Sequence, residues 1–411
     1  MNNFRIVLKN TFILTVSELF LKIIGFLWVV FLAHTLSVEL YGRYNLVNSF
    51  IAIFSFLPDM GVGLILIREI AKNRKKAPIY LGNSFLLNGL LAIFTVFVIT
   101  AMSFILNYPT EVKYLMGIAS LTLFLSTIRS VGVVYFEGIE QMQVPALLNS
   151  FNTVITLAFA CVGLLLGFGL AGVFWGMLLG TIISLTVTWV NLKRVTFPVF
   201  QFDQTLIKHL FFEGMPLGLA AFAALIYMRI DTIMLNQFLG ERSVGIYNSA
   251  TPFVFGLIQL LNVPFMGALF PTLTRLSKEN TGRFVNATKK SLLVIAFWSI
   301  PIAIGVSLFS QIIPLVFGAK YAAAVPVLRI AIFVVPFASL SALLYKILIV
   351  LHRQKVYLFI SICGAVASAI LNLILIPKFG VEGAAMASVS TQGILFVIYM
   401  IVVFSYLRKL S

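Results

Sequence analysis

Continuous runs of apolar residues, separated by short polar or Gly- and Pro-containing breaks, fill almost the whole chain. A bilayer core about 30 Å thick is crossed by roughly 20 apolar residues in a helix, and the runs divide into twelve stretches of this kind. Because polar and apolar positions do not alternate within them, they predict membrane-spanning helices and exclude the strands of a membrane barrel. The predicted helices cover 11–33, 44–67, 79–106, 114–136, 145–167, 170–192, 210–238, 245–274, 285–308, 323–350, 356–376 and 380–407.

Composition supports a membrane protein. Hydrophobic residues make up 61% of the 411 residues and charged residues only 10%. A soluble domain cannot bury such an apolar fraction, so lipid must be the solvent for most of the surface. The sequence therefore predicts an all-α integral membrane protein. A helix-length first run with no small-residue cleavage site after it indicates that no signal peptide is removed.

The distribution of basic residues predicts the orientation. A net charge of +16 could indicate a nucleic-acid partner, but 19 of the 29 Lys and Arg residues fall in loops on one side of the membrane. The other side holds five, and five lie within helices. This is the positive-inside bias, which places both termini in the cytoplasm of a multi-pass protein of the cytoplasmic membrane. We expect attraction to anionic lipids as a secondary effect, and no nucleic-acid partner.

An internal repeat predicts two lobes. A shift of 203 positions sets Leu36, Gly42, Tyr44, Asn45 and Phe50 on Leu239, Gly245, Tyr247, Asn248 and Phe253. A shift of 211 sets Gly169 and Gly172 on Gly380 and Gly383. Each half then holds six helices, so the predicted lobes are 1–192 and 210–411, joined by a cytoplasmic linker at 193–209. Such lobes usually enclose a central substrate cavity.

A series of short motifs carries a resemblance to a known family. The N-terminal lobe contains Ile24-Gly25-Phe26, Tyr41-Gly42-Arg43-Tyr44-Asn45, Asp59-Met60-Gly61-Val62-Gly63 and Arg68-Glu69-Ile70-Ala71. The C-terminal lobe adds Asp231-Thr232-Ile233-Met234, Gly245-Ile246-Tyr247-Asn248, Pro271 and Gly380-Val381-Glu382-Gly383-Ala384-Ala385. In order and spacing the motifs resemble the polysaccharide-transport branch of the multidrug/oligosaccharidyl-lipid/polysaccharide (MOP) exporter superfamily, whose best-known members are O-antigen flippases.

The resemblance implies a V-shaped, two-lobed transporter. Such a protein moves a polyprenyl-diphosphate-linked oligosaccharide from the inner to the outer leaflet by alternating access. Its partners would be the lipid-linked oligosaccharide, membrane lipids, and glycan polymerase or glycosyltransferases of the same pathway, with no cofactor. Related drug exporters share the fold, so the fold alone does not determine the substrate.

Ionisable residues inside the predicted helices are candidates for the substrate site. Each costs at least about 2.5–3.5 kcal/mol at membrane depth and by default marks a pathway or a pair. They are Glu18, Lys22, Asp59, Arg129, Arg229, Asp231, Arg329 and Lys346. Lys22 and Arg229 lie on helices that the repeat relates. Given the resemblance, we expect these two cations to contact the diphosphate, because Arg and Lys bind phosphate groups.

Other charged residues refine this site. We expect Glu18 and Asp231 to tune the two cations, the alternative being structural salt bridges between helices. Arg129 and Arg68 lie toward the cytoplasmic end, where they either meet substrate or extend to lipid head groups.

Asp59 is a candidate for coupling or bending. It follows Pro58 and precedes Gly61, and this combination weakens a helix and frees backbone carbonyls. Asp59 could form a hinge or bind a coupling H⁺ or Na⁺, and satisfying the local backbone is the alternative. No catalytic residue and no metal site are expected.

Three other functions remain alternatives. A multidrug exporter for organic cations favours buried carboxylates, whereas cations outnumber acids at depth here. A membrane glycan polymerase or glycosyltransferase would carry catalytic acids or metal ligands, but the outside loops are short and the chain has no Asp-x-Asp pair, so no enzyme is expected. A scaffold role in glycan assembly is the third. An ATP-driven pump is excluded because the chain has no phosphate-binding loop of the Walker type.

Overall fold

The protein is helical throughout the described part of the chain. The computed structural model describes the backbone of residues 2–351 and 353–410, and the side chains of 19–408 except those at 217, 263, 264, 268, 271, 278, 352 and 354. The helices are α1 (Asn2–Thr35), α2 (Val38–Phe54), α3 (Val62–Lys72), α4 (Ala77–Ile105), α5 (Thr110–Gly138), α6 (Gln143–Gly163), α7 (Gly169–Lys193), α8 (Gln204–Leu239), α9 (Glu241–Glu279), α10 (Thr281–Leu308), α11 (Ile312–Phe317), α12 (Val325–Ala331), α13 (Val334–Val350) and α14 (Gln354–Leu410). No strand occurs in these residues, and the predicted all-α membrane fold is confirmed.

Seven described helical segments are long and apolar enough to cross a membrane, or eight when α12 and α13, which meet at a 44° bend, form one span. Two of the seven run through a non-helical glycine and so contain two predicted stretches each. Gly167 (φ 84°) interrupts 143–193, and Gly380 (φ 62°) interrupts 354–410. Only glycine adopts such backbone angles readily, so each glycine allows the chain to turn between two predicted helices and form a hairpin.

The α6–α7 hairpin has small residues where its two helices face each other. Gly172, Gly176 and Gly180 recur every fourth position of α7, and a Cβ at any of them would overlap backbone atoms of α6. Gly163 of α6 faces Gly172 in the same way. Small residues at this spacing allow two membrane helices to approach closely, which strengthens their packing where hydrophobic attraction is weak.

The predicted helix at 44–67 is not continuous. The chain leaves helical geometry after α2, turns through 55–61 and re-enters it at α3. Met60 (φ 46°) and Gly61 (φ 78°) adopt left-handed backbone angles at this break. Pro58 lacks the amide proton that a continuous helix requires, so the interruption falls where Pro and Gly weaken the pattern. The expected weak point is therefore a complete break between two helices.

The residues pack into two compact units. The first comprises residues up to Val29 together with Phe50–Phe222, and the second comprises Val30–Ser49 and Ala223–Ser411. Residues 30–49 thus pack with the C-terminal half, and the predicted linker at 193–209 packs with the N-terminal half. The division into six-helix lobes at 1–192 and 210–411 stays a prediction.

Candidate functional site

The second unit contains a cavity of about 330 Å³ between helices α8, α9, α13 and α14. Its lining combines apolar and aromatic side chains with polar groups and is almost uncharged. The polar groups are Tyr227, Tyr247, Tyr345, Tyr357 and Tyr399, the amides of Gln259, Asn262 and Gln392, the hydroxyls of Thr251, Ser341 and Ser388, and one carboxylate, Asp231. A cavity of this size with convergent polar groups is typical of a small-ligand site.

Asp231 is the buried charge of this cavity, with only 6% of its surface exposed. Its Oδ2 accepts hydrogen bonds from the hydroxyls of Tyr247 and of Ser388, the latter at 3.3 Å. Its Oδ1 accepts the backbone N–H of Thr232 at 2.7 Å. Three helices therefore hold the carboxylate, and its burial is tolerated because each oxygen has a donor.

Two of the sequence motifs meet beside this carboxylate. Asn248, next to Tyr247 on α9, donates its side-chain amide to the Thr232 hydroxyl at 3.2 Å. The motif that begins at Asp231 thus bonds to the motif of Gly245–Asn248 through two neighbouring residue pairs. This contact explains why both motifs combine a polar side chain with a packing position.

Arg229 lies near the same cavity but not against Asp231. Its guanidinium is 5.5 Å from the ring centroid of Phe255, which lines the cavity. Arg229 and Asp231 are two positions apart on α8, and side chains at this spacing do not face each other. Each accordingly has its own neighbours, and Arg229 is half-buried.

The remaining predicted cations lie elsewhere. Lys22 is exposed on α1 in the first unit, whereas the side chain of Glu18 lies outside the described residues. Arg129 of α5 donates through Nη2 to Asn149 Oδ1 at 3.1 Å. Its Nε and Nη1 are buried without a hydrogen-bond partner among the described residues.

Arg68 is bound by two carboxylates. Its Nε lies 3.0 Å from Glu69 Oε1, and its Nη2 donates to Glu213 on α8. Lys72 bonds to the same Glu69 oxygen at 3.1 Å. Burial raises the pKa of Glu69, but hydrogen bonds from Lys72 and Arg68 outweigh it and hold the pKa below its ordinary value. Arg68 thus links the end of α3 to the start of α8.

Asp59 caps the break between α2 and α3. Its Oδ1 accepts the backbone N–H of Gly63 at 3.0 Å, which satisfies an N–H that the helix start leaves free. Gly214 and Gly218 of α8 pack against the backbone at Met60, so that a Cβ at either glycine would fall within 3 Å of it. The geometry shows the backbone role of Asp59.

Sequence reasoning did not identify the five tyrosines of the cavity or Ser388 as residues of the site. The rings of Tyr345 and Tyr357 are in contact, with centroids 5.4 Å apart and planes tilted by 31°, although the residues lie on different helices. Tyr247 stands in a repeat motif, which was a signal for importance but not for contact with Asp231. Isolated Tyr and Ser residues in apolar helices carry no spacing pattern, so only the packing brings them together.

Comparison with known families matches two family models. The model described as "Polysaccharide biosynthesis protein" matches residues 7–277, and the model described as "MatE" matches residues 216–374.

Curated relatives align with parts of the chain. "Uncharacterized membrane protein MJ1068" of Methanocaldococcus jannaschii is 26% identical over 54% of this chain and 45% of its own length. "Teichuronic acid biosynthesis protein TuaB" of Bacillus subtilis is 32% identical over 34% of this chain and 29% of its own. "Probable low-salt glycan biosynthesis flippase Agl15" of Haloferax volcanii is 27% identical over 39% and 34%. The chain thus spans less than half the length of these relatives.

Solved structures share the fold over nearly the full chain. A structure described as the inward-facing conformation of a multidrug resistance MATE family transporter of the MOP superfamily has a TM-score of 0.77 at 16% identity. It covers 95% of this chain and 96% of its own. "Lipid II flippase MurJ, inward closed conformation" has a TM-score of 0.78 at 18% identity, covering 95% and 87%. At such low identity the similarity shows the fold alone.

Proposed function

Because the chain belongs to the polysaccharide biosynthesis protein family of the MOP superfamily, we propose that it is a flippase for a lipid-linked oligosaccharide. The oligosaccharide would be carried on a polyprenyl diphosphate and moved across the cytoplasmic membrane by alternating access, for cell-surface polysaccharide biosynthesis. The names of two relatives, a teichuronic acid biosynthesis protein and a probable glycan biosynthesis flippase, support this substrate class. Both termini would be cytoplasmic, as the positive-inside bias predicts.

The lining of the cavity in the second unit is the observation that carries the proposal. Sugars present many hydroxyl groups and few charges, and five tyrosines with several amides and hydroxyls match that chemistry. Asp231 adds a single carboxylate that is already hydrogen-bonded by Tyr247, Ser388 and Thr232. The cavity therefore suits a neutral, hydroxyl-rich group better than a strongly charged one.

The cations near the predicted pathway would bind the diphosphate. Arg229 is half-buried against Phe255, which lines the cavity, and a guanidinium can bind a phosphate through two parallel hydrogen bonds. Lys22 would be the second cation that contacts the diphosphate, with Glu18 and Asp231 tuning the charge. Arg129 has two nitrogens without a hydrogen-bond partner in the described part of the chain and would serve the same purpose, whereas Arg68 is the weaker candidate because Glu69 and Glu213 bind it.

The sequence has no phosphate-binding loop of the Walker type, so the energy for transport would come from a source other than ATP bound by this chain. An ion gradient, the membrane potential or consumption of the translocated product would drive the cycle. Asp59 together with Pro58 and Gly61 remains a candidate hinge or coupling site. This function requires neither catalysis by the chain nor a glycan polymerase as a direct partner.

An ion-coupled multidrug exporter is the second candidate. A carboxylate in the cavity of the second unit, at Asp231, is the observation that favours it, because organic cations need such a partner. The MatE model also matches the residues that carry Asp231 and much of the cavity lining.

A reconstituted flipping assay tests the proposal. Fluorescent polyprenyl-diphosphate-oligosaccharide is incorporated into proteoliposomes that contain wild type, Arg229→Ala, Lys22→Ala, or the control Lys289→Ala, which removes an exposed cation on α10. We expect transfer by wild type and the control and loss of transfer in the other two. Transfer by all four would place the diphosphate site elsewhere. No transfer by wild type, with export of an organic cation that Asp231→Asn abolishes, would establish the second candidate.

A further inference from the structure

The segment between α7 and α8 exposes an unusual series of apolar side chains. Residues 196–203 form no helix. Side chains that are 45–70% exposed occur here at Val195, Phe197, Val199, Phe200 and Phe202. A segment in water would not carry three exposed phenylalanines within six residues, because large apolar side chains in water are unfavourable.

Hydrogen bonds hold this segment against the first turns of α4. The Asn83 side-chain amide donates to the Gln201 carbonyl at 2.8 Å and accepts the Asp203 N–H at 2.9 Å. The Val199 N–H donates to the Pro78 carbonyl at 2.9 Å. A Cβ at Gly82 would overlap the Val199 carbonyl, so the glycine permits the close approach. The backbone is thus fixed, and several of its polar groups are satisfied without water.

These contacts fix the position of the segment along α4. Asn83 lies six positions after Ala77, which begins α4, so it is about 9 Å along the helix axis. The same helix is one of the apolar spans that can cross a membrane. Residues 199–203 therefore lie beside the first turns of an apolar helix that is long enough to cross a membrane.

Basic residues surround the apolar segment. Lys193 and Arg194 precede it and Lys208 follows it, all exposed, while α4 is preceded by Arg74, Lys75 and Lys76. The ammonium of Lys193 lies 5.8 Å from the Phe197 ring centroid. Aromatic side chains at the interface with cations next to them are typical of segments that bind a bilayer surface.

From this geometry we infer that residues 195–202 form an interfacial anchor that binds anionic lipid. The five apolar side chains enter the acyl boundary of the leaflet, and the flanking cations bind its phosphate head groups. Lys and Arg side chains near an anionic lipid surface are attracted to it. The anchor fixes the chain that joins α7 to α8, and it is independent of the transported substrate.

Spin-label accessibility tests the immersion. In a Cys161→Ala/Cys363→Ala background, Phe202→Cys carries a nitroxide in nanodiscs of phosphatidylcholine and phosphatidylglycerol. Phe97→Cys on α4 is the lipid reference, because Phe97 and Phe202 are both 70% exposed, and Lys75→Cys is the water reference. We expect high collision with oxygen and low collision with a nickel chelate at 202, close to the values at 97. Values like those at 75 would overturn the proposal, and Phe197→Cys provides a second reporter.

The lipid charge is tested with matched triple variants. Lys193→Gln/Arg194→Gln/Lys208→Gln removes the flanking cations, and Arg283→Gln/Lys289→Gln/Lys290→Gln removes three exposed cations from the first turns of α10. Adding phosphatidylglycerol to phosphatidylcholine nanodiscs should lower nickel accessibility at 202 in the parent and in the second triple variant, but not in the first. An equal response of all three proteins would overturn the anionic-lipid assignment.

Discussion

Glu39 and Arg242 form an ion pair with Arg242 Nη1 2.9 Å from Glu39 Oε1, and the two residues are 203 positions apart. This separation is the period of the internal repeat, so the pair joins equivalent positions of its two copies. Gly42 and Gly245 are related in the same way, and a Cβ on Gly42 would lie 2.8 Å from the Gly245 nitrogen. Residues with the same place in the repeat thus pack against each other within the second unit.

A second ion pair nearby should contribute more to stability. Arg43 Nε lies 2.8 Å from Glu241 Oε1, with both side chains about one-fifth exposed, whereas Glu39 and Arg242 are far more exposed. We expect a coupling free energy of about 1–3 kcal/mol for Arg43–Glu241 and below about 1 kcal/mol for Glu39–Arg242. Double-mutant cycles with Gln substitutions, measured by unfolding in micelles, check this order. Equal coupling energies would show that the difference in burial does not make one ion pair stronger than the other.

The repeat could be predicted from the sequence, but these pairings could not. The shift of 203 aligned Gly42 with Gly245 because the residues are identical, whereas Glu39 aligned with Arg242 carries no such signal. Matching positions in a repeat imply similar surroundings, not contact. Contact arises here because a symmetric arrangement brings the equivalent helix starts together, and that arrangement is a property of three-dimensional packing.

Gly42→Ala should destabilise the protein markedly. Its Cβ would overlap the carbonyl of Glu241, and backbone cannot move aside as a flexible side chain can. Overpacking of this kind costs about 1–3 kcal/mol. Gly256→Ala on α9 is the control, because nothing lies within 4 Å of a Cβ there and Ala favours a helix over Gly by about 0.5–1 kcal/mol. Melting temperatures in detergent should fall for the first variant and be unchanged or rise for the second, and a stable Gly42→Ala would refute the close backbone approach.

The ion pairs of Glu69 with Arg68 and Lys72 should make the stability of the protein depend on pH in the acid range. The pKa of Glu69 in the folded protein lies below its ordinary value of 4.5, so its ionised form stabilises the fold above that pH. This contribution is lost as the pH falls through the folded pKa, because the unfolded state then binds the proton more readily. Glu69→Gln should therefore reduce stability at pH 7 and flatten its decline in acid.

The control for this pH effect is Glu140→Gln, which removes the exposed ion pair with Arg74. Such a pair contributes little, so the acid limb of an unfolding titration should match that of wild type. An identical effect of both substitutions would contradict the special role of Glu69. If Arg68 also binds substrate, Arg68→Gln would raise the substrate concentration needed for flipping beyond the change caused by Glu69→Gln.

The candidate site shows where sequence reasoning stops. Asp231 and Arg229 could be identified because charges are rare inside apolar helices. Their partners could not, since Tyr247, Ser388 and Phe255 lie on other helices and are ordinary residues for a membrane span. Arg68 likewise gave no sign of its contact with Glu213, which lies 145 positions away.

Asn83→Ala should release the segment that follows α7. The amide is buried and joins the Gln201 carbonyl and the Asp203 N–H to α4. Without it, both backbone groups lose their partner, which costs about 1–3 kcal/mol. Trypsin should then cut faster after Arg194 and Lys208, as measured by mass spectrometry of timed digests in nanodiscs. The control is Asn191→Ala, because the Asn191 side chain bonds to the Val187 carbonyl of its own helix. Cleavage that is equally slow in both variants would show that packing at Gly82, and not the amide, holds the segment in place.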